Sequence, residues 1–283
     1  MDRAKAVACL TLLAAAGCGP KTGVVVGSKN FTESVLLGEI LAQQIERRLH
    51  VPVDRRLNLG GTLLAHQALV SGSIDLYAEY TGTALTAVLK QTPNSDPAAV
   101  RTAVAAGYRQ WRLAWLPPLG FDNTFAMVVR SSDARLETLS RAAAAKAWRL
   151  GAGYEFLRRP DGLDGLLATY HLRLQGDPVT MDLGLLYSAL TGGQVDMVAA
   201  SATDGLLSVL DVRVLNDDRH YFPPYECAVV ARDETLDRVP GLRAALGELS
   251  GRFDAGTMQR LNYEVDGKHR SAREVAAGFL NGL

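Results

Sequence analysis

Asn58-Leu59-Gly60-Gly61-Thr62-Leu63-Leu64-Ala65-His66-Gln67-Ala68-Leu69-Val70-Ser71-Gly72-Ser73-Ile74-Asp75-Leu76-Tyr77-Ala78-Glu79-Tyr80-Thr81-Gly82-Thr83 holds two turns, one helix, one short strand and an aromatic-hydroxyl tail. Gly60-Gly61-Thr62 breaks the chain and opens a helix with Leu63, Leu64, Ala68 and Leu69 expected on one side. Ser71-Gly72-Ser73 ends that helix, and Ile74-Asp75-Leu76-Tyr77 then reads as a strand. A helix running through a tight turn into a strand is half of a βαβ unit.

The flanks continue the pattern. Val24-Val25-Val26-Gly27 reads as a buried strand ending in a turn, and Thr32-Glu33-Ser34 opens a helix. Val35, Leu36, Leu37, Ile40, Leu41, Ile45 and Leu49 give that helix a broad apolar face. Residues 51–57 form the next strand. The same grammar returns downstream: a strand ending at Gly151, a helix around Leu163 to His171, an extended segment over 179–183, a helix at Tyr187-Ser188-Ala189-Leu190 and a strand over 195–200. Residues 68–76 and 189–197 match in pattern, with Ala-Leu at the start, a glycine turn in the middle and an apolar-Asp-apolar end. They predict equivalent units in two similar α/β lobes, each a mainly parallel sheet flanked by helices. Pro117-Pro118 and Pro223-Pro224, each a stiff pair before an extended run, mark the expected crossings between lobes. The resulting division is residues 23–121 with 224–283 for a discontinuous first lobe, and 122–223 for the second. A cleft at the carboxyl ends of the strands is the expected ligand site.

Met1-Asp2-Arg3-Ala4-Lys5, an apolar run to Ala16 and then Gly17-Cys18 describe a secretory signal over residues 1–18, too short to span a bilayer. Cys18 after Ala15-Ala16-Gly17 resembles a bacterial lipobox, with Ala15 where Leu is more usual, and predicts lipidation and an extracytoplasmic, membrane-tethered chain. With Cys9 in the signal and Cys18 lipidated, Cys227 is left alone, so no internal disulfide is expected; its apolar neighbours Ala228-Val229-Val230 make it a small core residue. Thirty basic and thirty acidic side chains balance, which gives no footprint for nucleic acid.

The usual enzyme signatures are missing. The sequence has no Gly-x-Ser-x-Gly elbow, no phosphate-binding loop and no His-Glu-x-x-His helix. His50, His66, His171, His220 and His269 are scattered without metal-ligand spacing. The sequence therefore predicts no catalytic residue, no metal and no cofactor.

A set of short islands runs in one order along the chain: Gly27-Ser28-Lys29-Asn30-Phe31-Thr32-Glu33, Leu57-Asn58-Leu59-Gly60-Gly61-Thr62, Tyr80-Thr81-Gly82-Thr83, Leu119-Gly120-Phe121-Asp122-Asn123-Thr124-Phe125, Arg159-Pro160-Asp161-Gly162, Met181-Asp182, Thr203-Asp204-Gly205 and Phe222-Pro223-Pro224-Tyr225. In these islands the chain resembles the extracytoplasmic solute-binding proteins of osmoprotectant ABC importers, the binders of glycine betaine, choline and carnitine. The resemblance implies a two-lobed periplasmic-binding-protein fold of type II with two hinge crossings. It also implies a monomer that delivers a small zwitterionic or cationic quaternary amine to an ABC permease and its ATPase.

A quaternary ammonium donates no hydrogen bond and is held by ring faces, each contributing about 0.5–2 kcal/mol when desolvated. The resemblance places Tyr80, Phe125 and Tyr225 in such an aromatic box, with Asn123 beside Phe125. Phe125 stands where a Tyr is common in the family. Ser201 falls where a further Tyr is expected, so one wall is missing. Lys29, Thr83 and Arg159 are the groups implied to meet a ligand carboxylate. Ser201 leaves room for a larger trimethylated amino acid, ergothioneine or carnitine, as the alternative ligand; a sensing domain docking to a membrane receptor is the alternative role.

Overall fold

The computed structural model describes residues 23–283. The expected signal segment, Cys9 and the lipidation candidate Cys18 lie outside the described residues. In chain order the strands are β1 (Val24–Gly27), β2 (Val53–Arg56), β3 (Leu76–Tyr80), β4 (Leu113–Asp122), β5 (Phe125–Arg130), β6 (Leu150–Ala152), β7 (Val179–Thr180), β8 (Met197–Ser201), β9 (Val212–Leu215) and β10 (Glu226–Arg232). They form two five-stranded sheets, ordered β2-β1-β3-β10-β4 and β7-β6-β8-β5-β9. The two orders are equivalent strand for strand. In each sheet the first two pairings are parallel and the last two antiparallel, so both sheets are mixed. The antiparallel half arises because the chain enters and leaves each lobe along the two crossings rather than through βαβ connections.

The core of the first lobe is organised by the helix Thr32–Leu49, whose Leu36, Leu37, Ile40, Leu41 and Ile45 are fully buried. Each such side chain contributes about 1.5–3 kcal/mol of transfer free energy. The helix stops at His50, which takes the left-handed conformation (φ 55°) and donates its N–H to Glu46 O. His171 ends the helix Leu163–Tyr170 in the same way, and His220 and His269 also have positive φ. Backbone shape thus accounts for four of the five histidines.

The matched segments occupy matched places. Residues 68–76 lead from the helix Thr62–Val70 into β3, and residues 189–197 from the helix Leu186–Thr191 into β8, the central strands of their sheets. Their glycines have nearly the same backbone angle, φ 74° at Gly72 and 75° at Gly193. Each β-strand starts about two residues later than the apolar pattern predicts, because Asp75 and Asp196 close the turn: their N–H groups donate to Val25 O and Arg149 O.

Two expectations change. The helix Thr62–Val70 buries Thr62, Ala65 and Leu69, whereas Leu63 is 60% and Leu64 58% exposed. Positions 62, 65 and 69 share one face at spacings of three and four, which turns 63 and 64 outward. Pro117-Pro118 does not cross between lobes. It lies inside β4, where Pro118 faces Ala228 in register and its carbonyl accepts from Gly251 N and Ser250 Oγ. The first crossing is Asn123-Thr124, between β4 and β5; the second runs through Pro223-Pro224 into β10. The C-terminal segment also touches both lobes. In the helix Ala255–Asp266, Gln259 donates to Ala202 O and Asn262 to Thr203 O, and Gly205 lies against the Tyr263 backbone with no room for a side chain.

Candidate functional site

The loop after β1 is fixed by two serines. Ser34 Oγ accepts the Lys29 N–H at 2.8 Å, and Ser28 Oγ accepts the Asn58 N–H at 2.8 Å. That conformation turns the Lys29 ammonium inward, 2.6 Å from Glu79 Oε1 and 4.6 Å from the Tyr80 ring centroid. Both partners of the ion pair are buried. Desolvating two charges is expensive, and is offset here because Glu79 also accepts from Tyr77 OH at 3.0 Å and from the Tyr80 N–H at 2.7 Å.

β3 ends at Tyr80 and runs directly into the turn Thr81–Thr83. Thr83 Oγ1 accepts from Arg159 Nη1 at 2.9 Å, a bond between lobes. Arg159 follows the helix Tyr154–Arg158 and grips Asp161 with Nε and Nη2, the Nε bond being 2.8 Å. Tyr225 OH donates to the same carboxylate at 2.5 Å. Burial pushes the Asp161 carboxyl up, but the Arg159 guanidinium outweighs it and holds the group below its ordinary value. The guanidinium carbon lies 5.1 Å from the Phe125 ring centroid and 5.6 Å from that of Tyr225. Phe125 and Tyr225 meet edge-on at 5.7 Å, and Phe156 and Phe222 close around Phe125 at 5.0 and 5.8 Å.

The predicted residues therefore gather in two adjoining groups. Lys29 and Tyr80 form one; Thr83, Phe125, Arg159 and Tyr225 form the other. The faces of three rings already carry cations from the chain itself, Lys29 on Tyr80 and Arg159 on Phe125 and Tyr225. Asn123 points elsewhere: its Nδ2 donates to Glu33 Oε1 at 2.8 Å. Ser201, opposite Phe125 in the β5/β8 register, is partly buried and donates its N–H to Asp204. Burial pushes the Asp204 carboxyl up to about 6. His66 sits edge-on to Trp111 and Tyr108 at ring distances of 4.6 and 5.3 Å. Cys227 is buried in β10, as its apolar neighbours predicted, and burial pushes its thiol up.

Carboxylates are what the sequence reading missed. Glu79 lies in a strand whose five residues are all buried, and a charge in so apolar a run needs a partner; that signal was present. Asp161 entered only as part of the Arg159–Gly162 island and Glu33 only as part of a helix opening. Glu155 gave no signal. It reaches from the second lobe to the first, where Thr62 donates to it from its N–H (2.5 Å) and Oγ1 (3.0 Å). A cavity of about 630 Å³ opens beside the crossings, lined by Asp122, Thr124, Asp217, Phe222 and Pro223, and shares only Phe125 with the predicted set.

The model of the OpuAC family, the substrate binding domain of ABC-type glycine betaine transport systems, matches residues 22–282. A glycine-betaine-binding protein of Pseudomonas aeruginosa (strain PAO1) is 35% identical over 98% of this chain and 93% of its own. The ergothioneine transport permease/ergothioneine binding protein EgtU of Helicobacter pylori (strain G27) is 34% identical over 92% of this chain; the chain spans about half, 47%, of that relative's length. A crystal structure of a glycine betaine/carnitine/choline ABC transporter protein aligns with 92% of this chain and 98% of its own at 33% identity and a TM-score of 0.77. The shared architecture is the two-lobed type II periplasmic-binding-protein fold that the sequence predicted.

Proposed function

This chain belongs to the substrate-binding domains of ABC-type glycine betaine transport systems, and we propose that it traps a small quaternary amine between its lobes for an ABC permease and its ATPase. The observation behind this reading is a pair of ring–cation groups, Tyr80 with Lys29 in the first lobe and Phe125 and Tyr225 with Arg159, the latter group joined to the first lobe through Thr83. Ring faces that already attract an ammonium and a guanidinium suit a trimethylammonium group. Lys29, Thr83 and Arg159 are the groups we assign to a ligand carboxylate, which would compete with Glu79 for Lys29 and with Asp161 for Arg159. Ser201 leaves the cage open beside Phe125, and Asn123 holds the first crossing against Glu33.

The cavity beside the crossings suits this role less. Its Asp122 and Asp217 already accept backbone N–H groups from Tyr225, Tyr221 and Phe222. The open side at Ser201 favours a second reading, a bulkier trimethylated amino acid of the carnitine or ergothioneine kind. Family members work outside the cytoplasm, and Cys18 is proposed as the lipid anchor; Cys18→Ser should then release the mature chain from membranes.

Calorimetric titration of glycine betaine, choline, carnitine and ergothioneine tests the ligand class. Tyr80→Ala and Tyr225→Ala should each weaken the best ligand about ten-fold, about 1.4 kcal/mol, through lost cation–π contact. Wild-type affinity in both variants would remove the cage. Ser201→Tyr should strengthen betaine, whereas it should block a ligand that fills the open side.

A further inference from the structure

The first turn of the helix Thr32–Leu49 carries a carboxyl whose burial helix formation does not require. A first-turn glutamate stabilises a helix from the surface, through the dipole. Glu33 is instead 3% exposed and receives donors from four other segments. Tyr80 OH donates to Oε1 at 2.6 Å and Asn123 Nδ2 to the same oxygen at 2.8 Å. Thr203 Oγ1 donates to Oε2 at 2.5 Å and Asn262 Nδ2 at 2.9 Å. A carboxylate has about four lone-pair sites, and these four donors fill them.

The four donors differ in kind. Tyr80 is a wall of the proposed cage. Asn123 is the first crossing. Thr203 belongs to the second lobe, just beyond β8, and Asn262 to the C-terminal helix that bridges the lobes. Asn123 Oδ1 accepts from Thr203 N at 3.4 Å and Asn262 donates to Thr203 O, so the crossing, the second lobe and the bridging helix are tied to one another as well as to Glu33. With Lys29 on its face and Glu33 on its hydroxyl, the Tyr80 ring has a fixed plane, and one of those two restraints is shared with the elements that set the lobes' relative position.

We propose that Glu33 is a positioning residue for ligand binding: it aims the Tyr80 ring and makes that aim depend on how the second lobe is seated. The proposal rests on the reading of Tyr80 as a cage wall. Glu33 touches no ligand. Its removal frees the ring and loosens the crossing together, whereas removal of the Tyr80 hydroxyl frees the ring alone.

The test is a double-substitution cycle read by calorimetry with glycine betaine, ergothioneine, choline and carnitine as probes, on variants whose melting shows them folded at the titration temperature. Glu33→Ala should weaken binding about ten-fold and Tyr80→Phe about three-fold. The double variant should bind no more weakly than Glu33→Ala, because the hydroxyl has no acceptor left to lose. Glu33→Gln should stay within about three-fold of wild type, since its amide oxygen still accepts from Tyr80. A merely structural glutamate would lower the melting temperature yet leave the two losses multiplicative, and that result overturns the proposal. Wild-type affinity in folded Glu33→Ala, with Tyr80→Ala weakened, overturns it while leaving the cage intact. If none of glycine betaine, ergothioneine, choline and carnitine binds the wild type, the ligand class fails and the proposal with it. Should Glu33→Ala not fold, Thr203→Val carries the test: several-fold weaker binding supports the coupling, and unchanged affinity removes it.

Discussion

Residues 68–76 and 189–197 share a turn, a glycine angle and a place in the sheet, yet the chain leaves them in opposite ways. In the first lobe the turn carboxylate is buried, with Asp75 accepting from Val25 N and Thr235 Oγ1. In the second, Asp196 lies nearer solvent between Arg130 and Arg149. Beyond the strand, β3 delivers Tyr80 and Thr83 straight to the candidate site, whereas β8 delivers Ser201 and then Thr203, which goes to Glu33. The second lobe contributes its cation from elsewhere, at the end of a short helix, as Arg159. One backbone pattern thus supports two chemistries. Equivalent strand ends need not carry equivalent roles, since the pattern constrains the packing of the turn and strand and leaves the residues beyond the strand free to differ.

The hardest way to break the comparison is to remove the second lobe's cation. Arg159→Ala leaves Asp161 buried without its partner and should cost about 3–5 kcal/mol in urea unfolding without ligand. Lys29→Ala leaves Glu79 in the same state and should cost a similar amount. A loss under about 1 kcal/mol in either would mean that the pair is not desolvated as described.

The shared turn gives a finer test. An alanine in the left-handed region costs about 1–2 kcal/mol. Gly193 has open space around its Cβ position, so Gly193→Ala should show that strain alone. At Gly72 a Cβ would lie 3.1 Å from the Arg232 guanidinium, which donates to Leu69 O and Val70 O. Gly72→Ala should therefore be the more destabilising of the two in the same unfolding assay. Equal losses would show that Arg232 yields without cost.

The smallest effect concerns Asp204, beside Ser201. Its folded carboxyl titrates at about 6, against an ordinary value of 3.8, because burial penalises the charge. The folded state then holds the proton more tightly than the unfolded state. The associated stability is complete below about pH 4 and is lost as pH rises through about 6. Asp204→Asn stays uncharged, so its melting temperature relative to wild type should rise between pH 5 and pH 8. A constant difference would place the Asp204 titration near its ordinary value.

Much of this was legible because the apolar spacing of 32–49, the repeated turn and the proline pair at 223–224 each obey a local rule. Residues 80, 83, 159 and 225 were singled out through family resemblance; the structure gathers Thr83, Arg159 and Tyr225 in one group and sets Tyr80 with Lys29 in another. The lengths of the crossings were not, because Pro117-Pro118 looks like a linker but is held by partners far along the chain at Ala228 and Ser250. The exposed faces of Leu63 and Leu64 were missed because periodicity gives a stripe, not its rotation. Glu33 and Glu155 were missed because their donors, Tyr80, Asn123, Thr203 and Asn262 for the one and Thr62 for the other, are distant in sequence. Glu79 and Asp161 carry local signals, a charge in a buried strand and an arginine two residues away, but their further partners Lys29 and Tyr225 are distant too.

The central claim is that rings hold a cation between the lobes. Titrating glycine betaine against 3,3-dimethylbutanoate, the same shape with carbon in place of the charged nitrogen, tests it most directly. The carboxylate contacts are preserved and only the charge facing the rings is removed. Betaine should bind at least about ten-fold more tightly; equal affinities would contradict the account.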